Sequence, residues 1–252
     1  MSRISNNLQD VHARIAAATG KVSRQRQEVC LLTVSKTFDA EAVVEAIAAG
    51  QRDFGENYLQ EALHKIEEVK RLQNNGSQPD AVAHAELQWH FIGPIQSNKT
   101  RPLAEHFDWV HTVDREKTAA RLSAQRPAHL APLNICIQVN ISNETSKSGV
   151  APDQTAALAR AIMALPQLRL RGLMAIPEAA ADMDSQRAPL RALADLQHAL
   201  QADGIPLDTL SMGMSADLEA AIAEGATIVR VGSAIFGQRD ATPHDQNMND
   251  AR

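Results

Sequence analysis

Aromatic residues and cysteine are scarce in this chain of 252 residues, and it has no excess of positive charge. Aromatics make up 3% of it, and 25 basic side chains face 30 acidic ones, which gives a net charge of −5. Few rings for bases to stack on, together with a negative balance, argue against nucleic-acid binding. Apolar runs long enough for a membrane span or a signal peptide are missing too, so we expect a soluble, cytoplasmic protein with no membrane contact.

The two cysteines point to a reduced, packed protein. Cys30 and Cys136 each lie within an apolar, strand-like run, which predicts buried free thiols. The hydrophobic content of 44% is enough for one large core.

Strand-like runs alternate with helical patterns along the chain. We predict strands near residues 29–35, 52–54, 88–92, 108–112, 133–140, 168–174, 208–211 and 227–231. We predict helices over residues 4–18, 39–49, 57–72, 97–106, 114–125, 152–164, 184–202 and 215–224. Repeated β/α units in a chain of this length predict an α/β fold, a single closed (β/α)8 TIM barrel. An open doubly wound sheet is the alternative.

The two ends of the chain are assigned accordingly. No helix is predicted after strand 227–231, so helix 4–18 is expected to take the eighth place in the outer ring. Residues 1–239 are predicted to form the barrel. The polar segment 240–252, which contains Pro243, is predicted to be a frayed tail.

One joint between a helix and the next strand occurs twice in the sequence. Asp39 is expected to cap the helix over 39–49 and Gly50 to end it, while Ser215 and Gly225 play the same parts for the helix over 215–224. In both cases a strand ending in glycine follows. No finer repeat is visible.

Lys36 ends the first predicted strand, where its ammonium faces the mouth of a packed core. Desolvation there favours the neutral amine, which is a nucleophile towards aldehydes, so the position suits a Schiff base. The alternative is a lysine whose stem follows the strand end while its charge stays in water.

The loops after the last two predicted strands are candidates for a phosphate site. In barrels of this type phosphates often bind there, and these loops comprise residues 211–217 and 230–234. Gly213 allows close approach of the backbone, and Ser215 stands at a predicted helix start, where unpaired N–H groups favour an anion. Gly232 and Ser233 offer further donors. The alternative is that Ser215 only caps a helix and Gly232 only forms a turn.

A ligand that carries both an aldehyde and a phosphate would satisfy both features, because strand eight closes against strand one in a barrel. Pyridoxal 5′-phosphate is such a ligand. Arg230 would then lie near the ring nitrogen. Because arginine cannot accept a proton, it would keep that nitrogen unprotonated and weaken the ring as an electron sink.

Several blocks of the sequence resemble the pyridoxal phosphate homeostasis family (YggS/PROSC, also called PLPBP), which consists of single-domain relatives of the alanine racemase barrel. The most distinctive block is WHFIGPIQSNK at residues 89–99. The other matching blocks lie at residues 32–37, 54–61, 139–140, 146–149, 171–177, 210–217 and 229–237. The resemblance implies an alanine racemase-type barrel that binds pyridoxal 5′-phosphate.

The resemblance also implies which residues contact the cofactor. Lys36 would hold it as a Schiff base, Arg230 would face the ring nitrogen, and Asn57 would lie beside the ring. The implied cofactor-binding residues are Lys36, Asn57, Lys147, Met174, Ile176, Ser211, Met214, Ser215, Arg230, Gly232 and Ser233. For Asn57 a helix N-cap, and for Lys147 a solvated loop lysine, remain as alternatives, and no metal site is implied.

Three functions are consistent with these residues. The first is a carrier and buffer of pyridoxal phosphate, monomeric, which delivers it transiently to apoenzymes. The second is a weak amino-acid racemase, although the one tyrosine of the chain, Tyr58, lies outside the racemase pattern. The third is a Schiff-base enzyme for a phosphosugar, with Lys36 as its lysine.

Overall fold

Eight parallel strands form a closed barrel in which each strand pairs with its neighbours in chain order. The computed structural model describes residues 2–75, 78–142 and 148–237. The strands are β1 Cys30–Val34, β2 Asp53–Glu56, β3 Gln88–Phe91, β4 Trp109–Val113, β5 Leu133–Gln138, β6 Leu168–Met174, β7 Thr209–Ser211 and β8 Ile228–Val231. Because β8 pairs with β1, Cys30 opposite Ile228 and Thr33 opposite Val231, the barrel is closed and the open doubly wound sheet is wrong.

Helices connect the strands on the outside of the barrel. They are α1 Arg3–Lys21, α2 Ala40–Ala48, α3 Leu59–Gln73, α4 Asp80–Ala83, α5 Thr100–His106, α6 Glu116–Gln125, α7 Thr155–Met163, α8 Met183–Ala202, α9 Leu218–Ala223 and α10 Ser233–Phe236. The short α4 and α10 were not predicted, and α10 corrects the expectation that no helix follows the last strand. In the part of the chain that the structure describes, no helix has the length and apolar character needed to span a membrane.

Helix α1 takes the eighth place in the outer ring, as predicted. It packs against α2, α9 and α10, and its buried residues Ile4, Leu8, Val11 and Ile15 recur at the spacing of one helix face. The Arg14 guanidinium donates to both carboxylate oxygens of Glu219, at 3.0 Å each. The predicted boundary between barrel and tail at residues 239–240 lies outside the described residues.

The strands have two apolar faces because neighbouring side chains alternate across each strand. One face packs against the helices, where it forms the main core. The other face fills the barrel interior with a smaller cluster, composed of Leu32, Ile92, Trp109, Cys136, Met174 and Ile228. Both cysteines are free, with Cys136 buried and Cys30 half-buried. Interior residues at the upper ends of the strands therefore lie directly beneath the mouth of the barrel.

The predicted joint between a helix and the following strand is present at three positions. Gly50, Gly204 and Gly225 have φ of +98°, +81° and +94°. In each case the glycine N–H donates to the carbonyl three residues earlier, and the next N–H donates to the carbonyl five residues earlier. Asp39 caps α2 as predicted, since its carboxylate accepts from the Ala42 N–H at 2.9 Å. The same turn thus leads the chain into β2, β7 and β8.

Candidate functional site

A cavity of about 440 Å³ opens at the carboxyl ends of the strands, within the usual size range for a small-molecule site. Its lining comprises Val34, Lys36, Phe38, Asn57, Ile92, Ile176, Met214, Ser215, Ala216, Arg230, Gly232, Ser233 and Gly237. Lys36 and the predicted phosphate-binding residues therefore line one cavity. We refer to it as the barrel-mouth pocket.

Lys36 is half-buried in a loop whose backbone is held under strain. Ser35, directly after β1, donates its N–H to the Gly55 carbonyl at 3.1 Å. Thr37 has a φ of +69°, which is unusual for a β-branched residue and costs about 1–3 kcal/mol, so its surroundings must hold it. On the far side of the loop the Phe38 ring stacks on Phe236, with centroids 4.7 Å apart.

A buried ionic cluster behind this loop provides that support. The Lys65 ammonium donates to the Ser35 carbonyl at 2.7 Å, to Glu56 Oε1 at 2.7 Å and to Glu61 Oε1 at 2.9 Å. Glu61 also accepts from the Thr37 N–H at 2.6 Å. We refer to Ser35, Glu56, Glu61 and Lys65 as the Lys65 cluster. It ties the residues on both sides of Lys36 to β2 and α3.

Glu56 is the most buried member of the Lys65 cluster. Its side chain is 0% exposed, and burial raises the pKa of its carboxyl, against the opposing effects of Lys65 and Ser35. Oε1 accepts from both the Lys65 ammonium and the Ser35 hydroxyl, whereas Oε2 has no hydrogen-bond partner among the described residues.

Gly232 brings the end of β8 close to the end of β1. A Cβ at this position would lie 3.0 Å from the Val34 carbonyl oxygen and 3.3 Å from the Val34 Cβ, closer than side chains normally approach. Ser233 follows at the start of α10. The absence of a side chain at Gly232 thus places the predicted phosphate donors next to the strand that leads to Lys36.

Ser215 is not a helix N-cap, which corrects one sequence prediction. Helix α9 begins at Leu218 after Asp217, so Ser215 lies in the preceding turn. The turn is held from outside, because the Arg14 guanidinium donates to the Ser215 carbonyl at 3.1 Å. The Asp217 carboxylate accepts from the Met214 N–H at 2.6 Å, so that N–H is engaged within the turn. The Ser215 hydroxyl is a donor that this loop offers to a phosphate.

Asn57 is not a helix N-cap either. Helix α3 starts at Leu59, after Tyr58. Asn57 Oδ1 is buried and has no hydrogen-bond partner within the described part of the chain, although the residue lines the barrel-mouth pocket. A buried amide oxygen without a partner is costly, so a polar ligand with a hydrogen-bond donor fits this position.

Arg230 is buried at the floor of the pocket with its guanidinium in a fixed orientation. It donates to the Ser211 carbonyl at 2.6 Å, to the Ser211 hydroxyl at 2.9 Å and to the Ala175 carbonyl at 2.9 Å. Burial lowers the pKa of Arg230 to about 10, so the group remains charged at neutral pH. These bonds use three of the five N–H groups of a guanidinium, and the others remain for a ligand.

Two of the predicted site residues that the structure describes are not brought to the pocket surface. Met174 and Ser211 are fully buried and lie beneath the pocket, Met174 in the barrel interior and Ser211 under Arg230. Lys147 lies outside the described residues. Ile176 and Met214 do line the pocket and are 42% and 38% exposed, which places them at its rim.

The sequence analysis missed two kinds of residue at this site. Val34, Phe38 and Ile92 line the pocket. Each lies within four residues of the carboxyl end of a strand, and that position in the sequence could have identified them. His90 and His111 are buried. Each lies two residues along the chain from an inward-facing residue, Ile92 or Trp109, and this alternation could have placed them in the barrel interior. In the described ranges, no group of three or more His, Cys, Asp or Glu side chains is placed to hold a metal ion.

The residues present fit pyridoxal 5′-phosphate. One cavity is lined by the Lys36 amine, by the Ser215 and Ser233 hydroxyls and by the backbone at Gly232, where β1 and β8 approach closely. The same cavity is lined by the buried Arg230 cation and by Asn57, whose amide oxygen has no partner among the described residues. These groups match an aldehyde, a phosphate and a polar aromatic ring.

Comparison with known proteins gives an independent result. A family model described as alanine racemase, N-terminal domain, matches residues 7–240. The pyridoxal phosphate homeostasis protein of Pseudomonas aeruginosa is 59% identical over 240 residues, which cover 95% of this chain and 97% of that protein. The protein of the same name from Escherichia coli K12 is 51% identical over 240 residues, which cover 95% and 98%.

A solved structure agrees with these sequence matches. PipY from Synechococcus elongatus, with PLP bound, is 37% identical, has a TM-score of 0.73, and the match covers 88% of this chain and 100% of that chain. The resemblance seen in the sequence blocks is thereby confirmed. The chain belongs to the alanine racemase N-terminal domain family and to the pyridoxal phosphate homeostasis proteins.

Proposed function

We propose that this protein binds pyridoxal 5′-phosphate in the barrel-mouth pocket and acts in its homeostasis, as a carrier and buffer of the cofactor. The observation that carries the proposal is that Lys36 and the donors at Gly232 and Ser233 line one cavity at adjoining strand ends. The names of the relatives and the PLP-bound form of PipY support it.

Lys36 is the proposed covalent anchor. The cofactor supplies an aldehyde that a primary amine captures reversibly. The Lys36 Nζ attacks the aldehyde carbon, a carbon–nitrogen double bond forms, and the aldehyde oxygen leaves as water with the two amine protons. Water or a second amine reverses the bond, which is what a carrier requires.

The other pocket residues hold and orient the ligand without further chemistry. The Ser215 and Ser233 hydroxyls and the backbone at Gly232 are proposed to bind the phosphate. Arg230 is proposed to face the ring nitrogen, where it only donates and so keeps that nitrogen unprotonated. Ile176 and Asn57 would cover the ring. An unprotonated ring is a poor electron sink, which favours storage over catalysis.

Release to an apoenzyme needs space for an incoming amine. A second cavity of about 330 Å³ adjoins the first and shares Asn57, Ile92 and Ile176 with it. We propose that the amine of an acceptor enters on this side and takes the aldehyde from Lys36 by exchange. A contribution of Lys147 as a second amine remains a prediction.

The test compares Lys36→Ala with Lys70→Ala, which alters an exposed lysine on α3. Wild type and Lys70→Ala are expected to bind one equivalent of pyridoxal phosphate, to show the visible absorption band of a Schiff base, and to restore activity to an apoenzyme. Lys36→Ala is expected to lose the band and to bind more weakly. If Lys36→Ala retains the band, the stoichiometry and the transfer, the proposed anchor is wrong.

The pocket also bears on the racemase alternative. Racemisation by two bases needs a group on each face of the substrate carbon. Among the described lining residues, only Lys36 can act as such a base, since Arg230 stays protonated. We therefore expect no change in enantiomer ratio when the loaded protein is incubated with each amino acid. Measurable racemisation would favour the enzyme over the carrier, and turnover of a sugar phosphate by a colourless protein would favour the phosphosugar enzyme.

A further inference from the structure

A continuous chain of polar side chains crosses the barrel interior below the pocket. His90 Nε2 lies 3.3 Å from Asp53 Oδ1, and His90 Nδ1 lies 3.0 Å from His111 Nε2. His111 Nδ1 lies 2.8 Å from the Ser211 hydroxyl, and the Arg230 guanidinium donates to that hydroxyl at 2.9 Å. The chain joins five strands and ends at the pocket.

The chemistry at its two ends indicates a direction for the hydrogen bonds between them. Arg230 can only donate, so the Ser211 oxygen accepts from it and the Ser211 O–H needs an acceptor of its own. His111 Nδ1 lies 2.8 Å from the Ser211 oxygen and is the acceptor that the described residues offer, so we assign it no proton. At the other end the Asp53 carboxylate accepts.

The two histidines complete the sequence of donors. Burial, with His90 and Arg230 nearby, lowers the pKa of His111 well below its usual value, so the ring is neutral and donates only through Nε2–H. His90 Nδ1 accepts from it, and His90 Nε2–H donates to Asp53. With this assignment a proton on His90 Nδ1 would set two donors against each other, so each ring carries its proton on Nε2.

The interior leaves little freedom for this arrangement to change. His90 is 1% exposed, and His111 and Ser211 are 0% exposed. The His90 ring stacks on Trp109, with centroids 5.3 Å apart and planes 6° apart. Within the described residues, the side chain of His111 makes hydrogen bonds to His90 and Ser211 alone.

We propose that His90 and His111 are positioning residues, which orient the Ser211 hydroxyl so that its oxygen accepts the hydrogen bond from Arg230. This hydrogen bond holds the guanidinium towards the ring nitrogen of the cofactor. The inference rests on the proposed function, because it assigns these histidines a role towards bound pyridoxal phosphate. Neither histidine is among the residues that line the barrel-mouth pocket. Their effect is on where Arg230 points and therefore on how strongly the pocket recognises a ring nitrogen.

The first experiment uses the ligand-free protein. Long-range proton–nitrogen NMR spectra of protein labelled with ¹⁵N-histidine report which ring nitrogen carries the proton. We expect His90 and His111 both as neutral Nε2–H tautomers, assigned with His90→Gln and His111→Gln. A proton on Nδ1 of His111 would overturn the chain without reference to any cofactor.

The second experiment measures how well the pocket recognises the ring nitrogen. The probes are pyridoxal phosphate and its 1-deaza analogue, in which carbon replaces that nitrogen. Wild type is expected to bind the cofactor at least about tenfold more tightly than the analogue, the value of one hydrogen bond from a charged donor. His111→Phe, which fills the space but cannot accept from Ser211, is expected to lose most of this discrimination.

Two further variants separate positioning from loss of structure. Ser211→Ala removes the same link with a smaller change, and the double variant with His111→Phe is expected to lose no more discrimination than either single variant. Trp109→Phe keeps a stacking ring beside His90 but changes no bond of the chain, and it is expected to discriminate as wild type does.

The possible failures are distinguishable. If wild type does not bind pyridoxal phosphate, the proposed function is wrong and this inference falls with it. If His111→Phe and Ser211→Ala bind the cofactor and discriminate against the analogue as wild type does, the proposed function stands and the positioning role is wrong.

Discussion

At the scale of single residues, the Lys65 cluster gives the most specific prediction about the stability of the protein. The side chains of Lys65 and Glu56 are 4% and 0% exposed, so their ion pair has almost no contact with water. A buried pair contributes little compared with an apolar pair, but removal of one partner leaves an uncompensated charge. The cluster also holds the strained loop that carries Lys36.

We predict that Lys65→Met lowers the free energy of unfolding by about 3–5 kcal/mol, because Glu56 then remains buried and unpaired. Lys70→Met, an exposed change on the same helix, is expected to stay within about 0.5 kcal/mol of wild type. Urea unfolding followed by circular dichroism measures both.

The double variant Glu56→Leu with Lys65→Met tests the cause. Removal of both charges is expected to restore part of the lost stability, since no buried charge is left. If the double variant is less stable than Lys65→Met, the loss comes from packing and the ionic explanation is wrong.

Sequence reasoning at this scale succeeded where the position of a residue in a β/α unit decides its surroundings. Lys36, Arg230, Gly232 and Ser233 follow or end strands, and the structure brings all of them to one cavity. Asn57 also lines this cavity, and only its alternative role as an N-cap was wrong, because α3 starts at Leu59. The pairing of Lys65 with Glu56 could not be predicted, because Glu56 lies nine residues away in sequence and meets it only after β2 and α3 have packed.

At the scale of elements, the same turn precedes β2, β7 and β8. A Cβ added to Gly50 or Gly204 would meet nothing within 4 Å, and one added to Gly225 would meet only Leu210 Cδ1, at 3.8 Å. Space is therefore available for a methyl group at all three positions. Glycine is therefore favoured at these three positions because of the positive φ and not because space is lacking.

We predict that Gly50→Ala, Gly204→Ala and Gly225→Ala each lower the free energy of unfolding by about 1–2 kcal/mol, the cost of a left-handed conformation for an L-residue. Gly20→Ala is the matched control, because Gly20 lies in α1 with equal space and without a positive φ. It is expected to raise stability by about 0.5–1 kcal/mol. Thermal unfolding of the four variants checks this, and markedly unequal losses among the first three would mean that the turns are not equivalent.

Helix ends were the least predictable elements. The prediction placed the starts of α3, α5 and α9 two or three residues too early, since polar residues such as Ser215 can cap a helix or sit in the turn before it. Strand positions were predicted more closely, since the predicted start of each of the eight strands lies within one residue of the observed start. The third copy of the joint, at Gly204, escaped notice because its flanking residues differ from those at Gly50 and Gly225.

At the scale of the whole molecule, the closed barrel shields its interior from solvent. Cys136 lies in the interior and is 0% exposed, and burial raises the pKa of its thiol to about 12. The thiolate is the reactive form. The thiol of the folded protein therefore stays protonated at pH 9.

We predict that Cys136, in a Cys30→Ser background, reacts with a thiol reagent only through opening of the barrel. A rise in pH from 7 to 9 is expected to accelerate labelling of the folded protein by about the same factor as labelling of the protein unfolded in urea, because the thiol reacts in its solvated form in both cases, while the folded protein stays far slower at both pH values. Rapid labelling of the folded protein at pH 9 would show that solvent reaches the interior without unfolding.

The closed topology explains why residues distant in sequence form one site. The pairing of β1 with β8 joins the first and last thirds of the chain. Helix α1 completes the outer ring of helices around these strands. Barrel closure was predictable from the count of β/α units. The interior chain from Asp53 to Arg230 was not, because it depends on which side chains meet across the barrel: His111 and Ser211 are 100 residues apart.

The central claim is that Lys36 captures the aldehyde of a ligand whose phosphate binds at the ends of β7 and β8. Borohydride reduction of the protein loaded with pyridoxal phosphate, followed by peptide mass mapping, tests it most directly. Among the seven lysines of the chain, we predict a stable pyridoxyl phosphate adduct on Lys36. An adduct confined to another lysine, or a protein that binds the cofactor and gives no adduct, would contradict the account.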